Sequence, residues 1–273
     1  MDYVRLELLK YLSEFGYATT VSPSFNQLGD FLGGCRLLIT YTAGPIPTEK
    51  ETQVLESFLV KGGTWFSLHG SSGGFAEKPR AGEGKWRRIK AYRYHDIMGA
   101  VFKNHPPHLK FTVDVSHDKC VQHLTSNLPT SFETIDELYL LELRDAPNTN
   151  VFLSVKKTDE QVRYPLYGFK YDDHPALEGP NGSTLALGYE KYLGLGKVIY
   201  ISLGHAHSEL QPNGGQLYVH KSANVEARKP HKKYDEYFYD AQTNFTGSWS
   251  NAAFQTLIRN VLQYSLSKPA SRL

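Results

Sequence analysis

Apolar positions at Val4, Leu8, Leu12 and Phe15 recur at helical spacing, and Gly16 follows where a left-handed residue usually closes a helix, so the chain opens on an amphipathic helix. Residues 17–21 then read as a short strand, and residues 35–42 (CRLLITYT) as a buried one, a continuous apolar run bounded by Gly and Pro. Thr48 and Glu51 form a capping-box pattern ahead of Val54, Leu55, Phe58 and Leu59; Gly62-Gly63 closes this helix, and a strand follows at 64–68. Strand, helix and strand at this spacing predict a crossover unit in a parallel sheet covered by helices on both faces. Further strands are predicted at 110–115, 151–155, 184–187 and 197–202. A last amphipathic helix is predicted at 251–266, with Phe254, Leu257, Ile258, Val261 and Leu262 on one face.

Two stretches fit no regular element: residues 76–94, basic and Gly-rich, and residues 211–246, polar and Tyr-rich. They are read as long loops of one domain spanning residues 1–273. The chain starts on a helix, whereas an open doubly wound sheet normally starts on a strand, usually a central one. The sheet is therefore expected to close up without that strand or to borrow an edge, because a central gap leaves buried backbone groups unpaired at about 1–3 kcal/mol each.

With 40% hydrophobic and 21% charged residues, the composition supports a buried core. Thirty basic residues stand against 28 acidic ones, and no basic stripe tracks a phosphate backbone, which argues against nucleic acid as a partner. No apolar run reaches membrane-spanning length, and the amphipathic first 15 residues carry acidic side chains, unlike a signal or transit peptide; a cytoplasmic location is expected. Cys35 and Cys120 are too few for a disulfide framework and form no metal-type pair, so both read as buried thiols.

In open α/β sheets ligands bind beyond the carboxyl ends of the strands. The 64–68 strand ends in His69-Gly70-Ser71-Ser72-Gly73-Gly74, a sharp turn like the elbow that presents a nucleophile in α/β enzymes, here with His at its tip. The 197–202 strand ends in Leu203-Gly204-His205-Ala206-His207, and between the two lie Asn104-His105-Pro106 and Asp136-Glu137-Leu138-Tyr139. Imidazoles beside a carboxylate can transfer protons or hold a divalent ion, for which His69, His105 and His205 are candidate ligands. Taken singly, each His is more often a hydrogen-bonded structural residue than a ligand, and Asp136-Glu137 a turn cap or ion pair. Their joint placement at strand ends favours function, most of all for His69 and His205. Eighteen Tyr residues offer faces on which sugar rings stack, although most belong to sheet edges and loop packing.

Six short words occur in an order shared with one family: Tyr41-Thr42-Ala43-Gly44; Val60-Lys61-Gly62-Gly63; Ser67-Leu68-His69-Gly70; Met98-Gly99-Ala100-Val101-Phe102 with His105-Pro106; Asp136-Glu137-Leu138-Tyr139; and the run from Gly196 to His205. The chain in this respect resembles the ThuA-like, trehalose-utilisation family, related in fold to class I glutamine amidotransferases, over residues 1–211 and the final helix. The resemblance implies a flavodoxin-like three-layer sandwich with a mostly parallel sheet, lacking its usual first strand. It also implies a role in carbohydrate metabolism and a pocket lined by His69, His105, Glu137 and His205. The amidotransferase Cys is replaced by His69, so glutamine hydrolysis is not expected. The family's first strand and loop precede the helix at 2–15, and any ligand group on that loop is expected to be absent.

Two functions follow. In the first, an enzyme acts on a small sugar or sugar derivative, with His69, Glu137 and His205 catalytic and Gly70, Ser71, His105, Asp136, Tyr139 and His207 contacting substrate. In the second, a non-catalytic module binds the sugar, or forms a homo-oligomer through the Tyr-rich surface at 232–239.

Overall fold

The computed structural model describes residues 2–77, 88–106, 108–156, 184–206 and 245–267. Helix α1 (Asp2–Glu14) is closed by Gly16 at φ +70. Residues 17–21 form no strand: every side chain there is exposed and no neighbouring strand offers a ladder, so the β-branched composition of this run has nothing to pack against. After α2 (Leu28–Leu32) come β1 (Leu37–Tyr41), α3 (Glu49–Val60) and β2 (Thr64–Leu68). Thr48 and Glu51 make the reciprocal capping box at the start of α3. A 3-10 turn, His69–Ser72, follows β2. The remaining elements are β3 (Ala76–Glu77), β4 (Arg88–Ile89), α4 (Arg93–Met98), β5 (Ala100–Asn104), β6 (Leu109–Val115), α5 (Gln122–Thr125), β7 (Ser131–Asp136), β8 (Leu140–Leu143), β9 (Thr149–Lys156), β10 (Thr184–Leu193), β11 (Gly196–Ile201) and α6 (Ala252–Leu266).

Seven strands make one sheet in the order β1-β2-β11-β10-β9-β6-β7. Only β1–β2 and β2–β11 are parallel pairs; β11–β10, β10–β9, β9–β6 and β6–β7 are antiparallel. The expected mostly parallel, flavodoxin-like sheet is thus corrected to a mixed one. The cause is local: β10 and β11 are joined by the tight Gly194 turn at φ +61, and a short link of this kind can only return the chain antiparallel. At the other end β1 pairs directly with β2, Leu37 opposite Thr64, so the sheet closes without a strand ahead of α1.

Alternation along the strands sorts side chains onto two faces. Phe66, Leu68, Ile199 and Ile201 join a core with α1, α5 and α6, whereas Trp65, Val198 and Tyr200 join a second core with α2, α3, α4 and the antiparallel β5–β8 pair. The layering is therefore helix, sheet, helix. Helix α6, capped by Asn251, buries Phe254, Leu257, Ile258, Val261 and Leu262 completely, each contributing about 1.5–3 kcal/mol of transfer free energy.

The stretch at 76–94 is not wholly a loop. Ala76 pairs with Ile89 across β3–β4, and α4 starts at Arg93, its first turn held by the Tyr92 N–H donating to His95 Nδ1 at 3.0 Å. Of the 211–246 stretch only Phe245 and Thr246 are among the described residues. Cys35 and Cys120 are both exposed, correcting the expectation of buried thiols. Among the described residues no helix is long and apolar enough to cross a membrane.

Candidate functional site

The fully buried strand β2 delivers His69 to the sheet's carboxyl edge in a left-handed conformation, φ +44, that turns the chain sharply into the 3-10 turn. Gly70 lets this turn lie against the loop after β1: a Cβ there would stand 2.4 Å from the Thr42 carbonyl oxygen. Ser71 Oγ accepts the Thr42 N–H at 3.2 Å, and the Tyr200 hydroxyl, from β11, donates to the His69 carbonyl at 2.8 Å. The turn is held from both neighbouring strands.

The His69 ring is oriented by its Nδ1, 2.8 Å from the Ser202 carbonyl oxygen. A carbonyl only accepts, so Nδ1 carries hydrogen and Nε2 faces the site. Around Nε2 stand the Tyr139 hydroxyl at 3.0 Å, His205 Nδ1 at 3.1 Å and Glu137 Oε2 at 3.3 Å. Oε2 is also 3.2 Å from His205 Nδ1, while Oε1 faces His108 Nε2 at 3.4 Å and His105 Nε2 at 3.8 Å. His108 stacks on Phe245, ring centroids 4.3 Å apart and nearly parallel.

Asp136 lies beneath this cluster rather than in it. Its Oδ1 accepts the N–H of Glu137 (2.8 Å) and His205 (3.1 Å), and its Oδ2 accepts the N–H of Gly204 (2.9 Å) and Ser248 (3.0 Å) and the Ser248 hydroxyl (2.5 Å). With no exposed surface and its oxygens taken by protein donors, Asp136 holds the backbone around the cluster.

Burial works against an ionised Glu137, yet the imidazoles of His105, His108, His205 and His69 hold its carboxyl well below the usual carboxylate range. Burial also opposes charge on His69, but the hydrogen bond and charge of Glu137 prevail and raise its pKa. Desolvation dominates at His105 and lowers its pKa. Burial pushes the Tyr139 hydroxyl well above its ordinary value and keeps it a hydrogen-bond donor.

Of the residues singled out from sequence, His69, His105, Glu137, Tyr139 and His205 come together here. Gly70 and Ser71 shape the turn behind His69. His207 lies outside the described residues. His108 was missed by the sequence reading because it precedes a strand. Strand β6 runs antiparallel to β7, with Leu109 opposite Asp136, so the start of β6 meets the carboxyl end of β7 at the same edge. His69, Glu137 and His205 offer three ligand-type atoms within 4.8 Å of one another. A groove of about 1380 Å³ at the opposite end of the sheet, where Arg36, Lys61 and Lys197 lie, contains none of these residues.

The family model for ThuA, described as trehalose utilisation, matches residues 7–220. A protein described as ThuA-like from Bacteroides uniformis superposes with a TM-score of 0.58 at 17% identity, covering 98% of this chain and 84% of that one. A second protein so described, from Parabacteroides merdae, gives 0.50 at 13% identity over 75% of each chain. No curated protein matches the chain by sequence.

Proposed function

The chain belongs to the ThuA, trehalose-utilisation family, and from that premise we propose that it binds and transforms a small sugar or sugar derivative where β2, β7 and β11 end, with His69, His205 and Glu137 as the reacting groups. One observation carries the reading: a buried carboxylate, Glu137, faces four imidazoles from three separate stretches of chain, His69, the β5–β6 link with His105 and His108, and His205. A carboxylate taken out of water loses several kcal/mol of solvation, and apolar packing would serve the fold at least as well. Ionisable groups gathered in this way are a mark of chemistry.

In this reading His69 and His205 exchange a proton with a sugar hydroxyl or with a carbon beside a carbonyl, and Glu137 balances the imidazolium that forms. Tyr139 donates its hydroxyl hydrogen toward the same point. His105 lines the wall beside Glu137, and Gly70 and Ser71 keep the turn that carries His69 in place.

The test is turnover of a panel of plain and oxidised disaccharides, with product analysis on the wild type, His69→Ala and His205→Ala. Removing a general acid or base is expected to slow turnover by about 10²–10⁴-fold. Unchanged turnover in both variants removes these residues from the mechanism, and saturable binding without product in the wild type leaves a binding module.

A further inference from the structure

We propose that the same cluster is a divalent transition-metal site, with His69 Nε2, Glu137 Oε2 and His205 Nδ1 as its protein ligands. This rests on the reading above only in placing the functional centre there; the metal is argued from geometry.

The three atoms form a nearly equilateral triangle, with edges of 3.1 Å (His69 to His205), 3.2 Å (His205 to Glu137) and 3.3 Å (Glu137 to His69). Metal–ligand bonds of about 2.0–2.2 Å place neighbouring ligands about 2.8–3.1 Å apart in an octahedron and about 3.3–3.6 Å apart in a tetrahedron. The observed edges fall across that range. A single proton on either imidazole accounts for one edge at a time. A cation at the centre accounts for all three.

The surroundings are those a metal needs. The Nδ1–H of His69 is committed to the Ser202 carbonyl at 2.8 Å, the outer hydrogen bond that metal-binding histidines use, which turns Nε2 toward the triangle; the Tyr139 hydroxyl, 3.0 Å from that atom, would give up its hydrogen bond to the ion. Glu137 is divided between its oxygens. Oε2 faces the two ligand imidazoles and Oε1 faces His108 at 3.4 Å, as a carboxylate binding through one oxygen with the other held from outside would be. The supporting shell is stiff: His69 sits in a left-handed turn, and Asp136 fixes the backbone of both Glu137 and His205. Two imidazoles and one carboxylate form the set used by open, reactive sites, in which at least one coordination position is left for substrate or water. Here that position would take a sugar oxygen, and the ion, with the His69 and His205 nitrogens as its ligands, would polarise it in place of proton exchange by those two rings. Ligand softness points to zinc, iron(II) or a similar first-row ion rather than calcium or magnesium.

The test uses the full chain, stripped with a chelator and dialysed, then titrated with zinc by calorimetry and with cobalt(II) followed by its visible absorption and its paramagnetically shifted imidazole resonances. One equivalent of metal is expected to bind, with shifted signals from two histidines. Glu137→Gln and His205→Ala are expected to weaken binding at least tenfold, whereas His123→Ala, beside the distant buried Glu190, leaves it unchanged. No uptake of either ion by the wild type, or uptake undiminished in both ligand variants, overturns the proposal. Should a variant fail to fold, the cobalt-shifted signals of the wild type decide: their absence overturns the site. Sugar binding is measured on the same metal-free and metal-loaded samples. Sugar bound without any metal uptake sinks the metal and leaves the pocket; metal bound without any sugar sinks only the sugar reading.

Discussion

Asp136 Oδ1 accepts the backbone N–H of His205 at 3.1 Å, so the carboxylate that ends β7 fixes the loop that ends β11. Its neighbour Glu137 points into the cluster instead. Two adjacent carboxylates thereby divide: one takes the backbone donors that shape the edge of the sheet, and the other faces the imidazoles.

From this division, Asp136→Asn is expected to destabilise the fold by about 2–4 kcal/mol, because an amide nitrogen would face backbone N–H donors at a fully buried position. Urea unfolding followed by tryptophan fluorescence measures it. A change under 0.5 kcal/mol would show that the network is incidental.

Gly70→Ala forces a Cβ to within 2.4 Å of the Thr42 carbonyl oxygen, and backbone cannot swing aside as a side chain can. It is expected to lower stability by about 1–3 kcal/mol. Gly29, inside α2, meets nothing within 4 Å, so Gly29→Ala is expected to add about 0.5–1 kcal/mol through helix propensity. Thermal melts of the two variants should move in opposite directions; movement in the same direction contradicts the packing described here.

The sequence made particular parts of this fold and site readable. The apolar run ahead of His69 shows β2 and its tip, because a buried strand must be continuously apolar and a sharp turn needs glycine. Thr48 and Glu51 show the start of α3 through the capping box they form. Strand direction was not readable from the same signals. Apolar runs such as those in β9 and β10 report burial and not the identity or sense of their neighbours, and so the antiparallel half of the sheet was missed. His108 was missed for the same reason, since a rule that looks after strands overlooks a residue that reaches the site ahead of an antiparallel one. Helix α4 was hidden because its capping acceptor is an imidazole, His95, rather than a Ser, Thr or Asp.

His95 also sets a pH dependence. It is fully buried, its Nδ1 accepts the Tyr92 N–H and its Nε2 lies 3.0 Å from the Gly73 carbonyl, so both nitrogens are committed to the neutral ring. Desolvation lowers its pKa below 6.5. The unfolded chain therefore takes up this proton first as pH falls, and stability present above pH 6.5 is lost from there down to the lower folded-state pKa. Denaturation midpoints of wild type and His95→Gln from pH 7.5 to 5 test it. The wild type is expected to lose more stability over this interval than the variant, and parallel curves would remove His95 from the account.

The central claim, that a sugar is received where His69, His105, His108 and His205 surround Glu137, is tested most directly by the imidazole resonances of the wild-type protein during titration with a disaccharide and its oxidised form. Saturable shifts of these four histidines are predicted, with His95 and His123, which lie elsewhere in the fold, unchanged. Saturable sugar binding that leaves the four unmoved would contradict the account.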